Sequence, residues 1–155
     1  MSISKTDFLN RIKYYCAKGE RCTGDVITKL TEWNVSNEDI DHFIKLLQNE
    51  NFLDETRYIR SYVSEKWNLN QWGRLKIEAG LKQKKVDDKL IATALKDIDE
   101  KDYLTRLHEL LHKKYKDVKS ENKNDDAKRV MMYAISKGYE EGFVEDWLIE
   151  NVLYH

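Results

Sequence analysis

Proline is absent from the 155 residues and glycine occurs only six times. Nothing therefore removes a backbone donor or locks φ along the chain, and helix is allowed almost everywhere. Cysteine occurs twice, at Cys16 and Cys22, which is too few for a disulfide framework and lacks the paired spacing of a zinc site, so both are expected as reduced thiols. Long apolar runs are missing as well. Lys5, Asp7, Arg11 and Lys13 break up every apolar stretch near the N-terminus, so no signal peptide is expected, and no segment approaches membrane-spanning length. A cytoplasmic protein without membrane contact follows as the expectation. There is no glycine-rich phosphate loop, no G-x-S-x-G and no cysteine near a plausible histidine partner. His42 and His155 stand alone, and the carboxylates are scattered over predicted solvent faces without forming an acid/base pair. Neither a catalytic residue nor a cofactor is expected.

What is present is a chain with 41% apolar and 35% charged residues, a balance that gives a thin core and a large solvated surface, as in packed helices. The net charge of −1 hides a pattern. Residues 1–55 hold 7 Lys and Arg against 10 Asp and Glu, residues 56–96 hold 10 against 4, and residues 97–155 hold 10 against 14. The middle third alone is basic, which suits it to nucleic acid or to an acidic protein surface, although a charge run is also what a well-solvated helix face looks like.

Apolar residues recur at helical spacing throughout. From Ser4 a first helix carries Phe8, Leu9, Ile12, Tyr15 and Cys16. A second over residues 23–33 turns Val26, Ile27 and Leu30 inward, and Ser36, with Asp39 three residues on, starts a third that buries Ile40, Phe43, Ile44 and Leu47. Shifting this block by 51 residues lays Val26 on Ile77, Leu30 on Leu81, Val35 on Val86, Ile40 on Ile91 and Ile44 on Leu95. A further shift of 53 brings these onto Val130, Ala134, Tyr139, Val144 and Leu148. A shared apolar skeleton at near-constant spacing marks tandem units, each too small to be stable alone. The predicted fold is all-α, an elongated tandem array of three three-helix repeats: 1–50, a basic central 51–100, and 101–155. The last contains the run KDVKSENKNDD, read as a mobile polar linker over about 116–126 because it has almost no apolar residue to bury.

The central stretch, residues 51–86, is the best marked. Asp54 stands as an N-cap ahead of a face made by Tyr58, Ile59, Tyr62, Val63 and Trp67, and Trp72, Gly73 and Arg74 open a second helix with Ile77 and Leu81 inward. The residues Leu53-Asp54-Glu55, Arg57-Tyr58, Val63, Trp72-Gly73-Arg74, Lys76-Ile77, Leu81 and Lys84-Lys85-Val86 resemble the RecX family, bacterial modulators of the RecA recombinase. Lys85 departs from the pattern, since a glycine is usual there. In the first block Arg21, Asp25, Val26, Lys29 and Leu30 fit the family's pattern with Cys22 at a serine position, and in the third Lys137-Gly138-Tyr139 resembles its basic-Gly-Phe turn. The resemblance implies three tandem three-helix repeats, and the chain is expected to be a monomer that acts by binding and not as an enzyme. It also implies binding to the RecA–DNA filament, with lowered recombinase and ATPase activity.

Two constellations remain. His108-Glu109-Leu110-Leu111-His112 matches the zinc-protease H-E-x-x-H, but Tyr115 and Val118 stand where the extended motif needs glycine and histidine, which leaves a downstream glutamate such as Glu140 or Glu141 as a remote third ligand. A zinc hydrolase is thus a distant alternative and no metal site is expected. The basic residues Arg57, Arg60, Arg74, Lys76, Lys82, Lys84 and Lys85 are the candidates for partner or DNA contact. Trp67 and Trp72 are able to stack on bases, although tryptophans beside helix starts are more often core. A stand-alone helical DNA-binding module is the other reading, and the lack of net positive charge weighs against it.

Overall fold

The computed structural model describes residues 3–154. Most of its helices begin where short side chains satisfy the free amides of a first turn, an interaction that typically contributes about 1 kcal/mol per cap. Ser4 accepts from the Asp7 amide at 3.1 Å at the head of α1 (Lys5–Ala17). Cys22 Sγ accepts from the Asp25 amide at 3.4 Å while the Asp25 carboxylate accepts from the Cys22 amide at 3.2 Å, a reciprocal box that opens α2 (Thr23–Glu32). Ser36 caps α3 (Asn37–Asn49), and Asp54, accepting from the Arg57 amide at 3.0 Å, heads α4 (Glu55–Asn68). After α5 (Arg74–Gln83), Asp87 accepts from the amides of Lys89 and Leu90 at the start of α6 (Asp88–Lys96). Asp99 caps α7 (Glu100–Val118) and Asn122 caps α8 (Lys123–Ser136), while α9 (Glu141–Leu148) runs into a π-helical turn, Ile149–Leu153. Among the described residues there is no strand, and no helix is long and apolar enough to cross a membrane.

The fold is an all-α array of three-helix repeats. Of the positions aligned by the shifts of 51 and 53, all are buried except Val35 and Ile44, which are half-buried. The same shifts align the turns that follow α2, α5 and α8, where Asn34 (φ 61°), Lys85 (φ 58°) and Gly138 (φ 93°) all take the left-handed conformation. Such a residue reverses the chain at a helix C-terminus and lets the next amide satisfy an orphan carbonyl. Val35 donates to Leu30 O at 3.1 Å and Tyr139 to Ala134 O at 3.1 Å. The departure at Lys85 therefore changes the residue and not the backbone, and its Cβ carries the steric cost of that conformation.

The chain divides into two compact units, residues 1–62 with 81–91, and residues 63–80 with 92–155. In the first unit, Ile12, Cys16, Val26, Leu30, Ile40, Phe43, Leu47 and Leu53 form one apolar cluster. In the second, α7 packs on α8 and α9, with Tyr103, Leu107, Leu111, Val130 and Val144 fully buried between them.

Two expectations are corrected. Ile27 does not turn inward but remains 41% exposed, because the pair one turn apart, Val26 and Leu30, already fills the core side of α2. The polar linker expected over 116–126 shrinks to residues 119–122, since α7 continues to Val118 and α8 starts at Lys123. Polar side chains here bond to one another. Asp126 is fully buried and accepts from the Ser120 amide at 2.9 Å and the Ser120 hydroxyl at 2.6 Å. These two donors hold its carboxyl below the usual range.

Candidate functional site

In the first unit the basic candidates separate by what they touch. Arg57 Nε lies 2.7 Å from Glu20 Oε1 and its Nη2 donates to Asn51 O at 3.0 Å. Lys84 Nζ meets Asp25 Oδ1 at 3.0 Å. Burial pushes the Asp25 carboxyl up, but Lys84 and the Cys22 amide outweigh it and hold the group below its ordinary value. The residue that boxes the head of α2 thus also anchors the end of α5, and Thr23 reaches α4 by donating to Glu55 from its amide at 2.7 Å. Burial also pushes the Cys22 thiol up to about 11, which makes it an inert cap. Arg60, Lys82 and Lys85 are solvent-exposed, and neither Arg60 nor Lys85 has an ion-pair partner among the described residues.

In the second unit Arg74 is the hub of a network. Its guanidinium pairs with Glu100 at 2.9 Å, approaches Glu140 at 3.1 Å, and lies 3.8 Å over the ring of Tyr103. The Arg74 amide donates to the Tyr103 hydroxyl at 3.1 Å, and that hydroxyl donates in turn to Glu140. Burial and the bond to Glu140 push the Tyr103 phenol upward. Only 22% of the Arg74 side chain is exposed, so it holds α5 to α7 and to the start of α9. The signal for this in the sequence is faint, because Glu100 and Glu140 stand far along the chain and look like surface charges.

The same end of α5 makes a backbone contact with the turn after α8. The Gly73 amide donates to Lys137 O at 2.7 Å and the Leu75 amide to Gly138 O at 3.0 Å. A Cβ at Gly73 would overlap the Gly138 carbonyl and lie 2.6 Å from the Tyr139 nitrogen, while one at Gly138 would lie 2.6 Å from the Lys76 nitrogen. The Trp-Gly and Lys-Gly-aromatic motifs are therefore two halves of one contact, which needs both glycines. The contact also brings Lys137 beside Lys76. Lys76 Nζ donates to Ser136 O at 3.3 Å and Lys137 Nζ to Asn70 O at 2.8 Å. Burial, with Lys76 nearby, lowers the Lys137 pKa.

The two tryptophans of the central block differ. Trp67 stacks on Tyr103 at 5.4 Å and carries Arg106 3.9 Å over its ring, so it is packing. Trp72 is half-buried, with Lys66 Nζ at 4.8 Å and Lys76 Nζ at 4.5 Å from its ring centre. His108 is exposed, and His112 packs edge-on against Trp147 at 4.9 Å. No group of three or more His, Cys, Asp or Glu among the described residues is arranged to hold a metal ion. His155 lies outside the described residues.

Comparison with known proteins agrees with this geometry. Residues 54–95 match the family model "RecX, second three-helix domain". The chain is 28% identical over 102 residues to regulatory protein RecX of Streptococcus agalactiae serotype III, covering 66% of this chain and 40% of that one. It is 28% identical over 127 residues to regulatory protein RecX of Clostridium tetani, covering 81% and 58%. It therefore spans less than two thirds of the length of these curated relatives. The crystal structure of RecX from Lactobacillus salivarius shares its fold with a TM-score of 0.85 at 19% identity, covering 94% of this chain and 95% of that one.

Proposed function

We propose that this chain, which belongs to the RecX family of regulatory proteins, acts by binding the RecA–DNA filament and lowering its ATPase and recombinase activity in DNA repair. The observation that carries the reading is the match of residues 54–95 to the family's second three-helix domain, whose Trp-Gly motif meets the Lys-Gly-aromatic turn after α8 through Gly73 and Gly138. The repeats are taken as residues 1–50, 51–100 and 101–155. Each is a small helical unit, and a chain of such units offers many weak contacts rather than one deep pocket.

Within that reading the seven basic candidates divide by role. Arg57, Arg74 and Lys84 are already neutralised by Glu20, Glu100 and Asp25, and they hold the frame. In the first unit Arg60 and Lys85 carry the contact to phosphate or carboxylate, with Lys82 taken alongside them on its exposure alone, and in the second unit Lys76 is available to an anion. Exposed contacts of this kind contribute modestly one at a time and weaken with salt. The test is co-sedimentation with RecA filaments together with their ATPase rate. An Arg60/Lys82/Lys85 triple reversal to glutamate is expected to fold and to lose both effects, whereas wild-type behaviour in the triple variant would remove these residues from the interface.

A further inference from the structure

We propose that Trp72, flanked by Lys66, Lys76 and Lys137, is a binding site for single-stranded nucleic acid that takes one unpaired base on the indole and the neighbouring phosphates on the lysines. The inference concerns a bare strand and does not depend on RecA.

The site is marked by two lysines held close together with their charge uncompensated. Arg57, Arg74 and Lys84 each reach a carboxylate within 3.0 Å. Lys76 and Lys137 do not. Each donates to a neutral backbone carbonyl, Ser136 O and Asn70 O, and no carboxylate among the described residues pairs with either. Two ammonium groups are thus held on one small surface without a counter-ion, close enough for Lys76 to disfavour the charged form of Lys137. What fixes them there is main-chain geometry: the Gly73–Gly138 contact brings the first turn of α5 against the turn after α8. An anion placed between them would relieve a repulsion built into the fold.

The indole supplies the second element. Trp72 retains exposed surface, and its ring is covered by the flexible ends of Lys66 and Lys76, at 4.8 and 4.5 Å from the ring centre, rather than by a rigid aromatic neighbour. Trp67, by contrast, is closed off by Tyr103 and Arg106. Lysine heads swing on four-carbon stems, so a phosphate can draw them off the ring and leave the face for a base. An aromatic face beside cations that track the backbone is how proteins hold single strands without reading sequence. A duplex hides its base faces and fits this surface poorly. A plain acidic peptide would satisfy the lysines but leave the indole unused.

The experiment is fluorescence anisotropy of a labelled oligo-dT of about 15 nucleotides, long enough for one site, with the full chain. Trp72→Leu is expected to weaken binding roughly tenfold, and Trp72→Phe to restore most of it, since stacking on one aromatic ring contributes about that much. Lys76→Gln with Lys137→Gln keeps both Cβ atoms and is expected to reduce the salt slope by about 1.4, or about 0.7 for each phosphate that is no longer neutralised. Circular dichroism melts confirm that each variant is folded, and the lysine pair tests the site even if Trp72→Leu is not. Oligo-dT affinity unchanged in both the leucine and the glutamine variants would overturn the proposal. So would equal binding of the matching duplex. Binding of polyglutamate with the same dependence on Trp72 would overturn it in favour of an acidic protein partner. A Trp72→Leu protein that loses oligo-dT but still lowers RecA ATPase supports the strand site and leaves the family function standing without the indole.

Discussion

Replacing Gly73 by alanine tests whether the central block is held to the last repeat's α8 turn by backbone contact. The new Cβ would overlap the Gly138 carbonyl and lie 2.6 Å from the Tyr139 nitrogen. Both neighbours are main chain, so no side chain can rotate away. Relief requires the start of α5 to withdraw, which stretches the Gly73 to Lys137 bond of 2.7 Å and the Leu75 to Gly138 bond of 3.0 Å. Breaking two backbone hydrogen bonds costs about 1–1.5 kcal/mol each, and the residual crowding adds roughly 1–2 kcal/mol. The alanine also restricts the unfolded chain, which offsets about 0.4–1 kcal/mol. The net expectation is a loss of about 3 kcal/mol, read from urea denaturation followed by far-ultraviolet circular dichroism. Gly142→Ala is the control: it lies in α9 with nothing within 4 Å of the new Cβ, and it should raise stability by about 0.5–1 kcal/mol. A Gly73→Ala protein within about 0.5 kcal/mol of wild type, the range of an ordinary surface change, would refute the close approach of the two glycines.

Two further predictions concern the frame. Lys85→Gly relieves a left-handed lysine at φ 58° and should stabilise the protein by about 1 kcal/mol in the same denaturation assay; a destabilised variant would mean that the Lys85 stem packs usefully. Because Asp126 is held below the ordinary carboxylate value by Ser120, its contribution is full above the unfolded pKa of about 3.9 and is lost as pH falls through the folded value. The melting temperature of wild type should therefore drop more steeply below about pH 4 than that of Asp126→Asn, and parallel curves would contradict the assignment.

Much of the helical frame is legible in the sequence because it rests on local chemistry. Ser4, Ser36 and Asp54 cap where a short polar side chain precedes a helical apolar period, and the 51- and 53-residue shifts trace positions that must be apolar in every repeat. What stays hidden depends on residues far apart. The network on Arg74 needs Glu100 and Glu140, and nothing in their own neighbourhoods distinguishes them from solvated carboxylates. Lys137 joins Lys76 only through the meeting of two glycines. The 116–126 run looks unstructured by apolar content alone, whereas a buried Asp126 organises it with hydrogen bonds. The helical period points Ile27 inward, but Val26 and Leu30 already satisfy that period.

The most direct test of the proposed function is the ATPase rate of RecA on single-stranded DNA with this protein added in increasing amounts at low salt. The rate is expected to fall with added protein, to recover as salt rises, and to fall much less with the Arg60/Lys82/Lys85 reversal. A rate that stays constant while the protein is folded and in molar excess would contradict the proposed function.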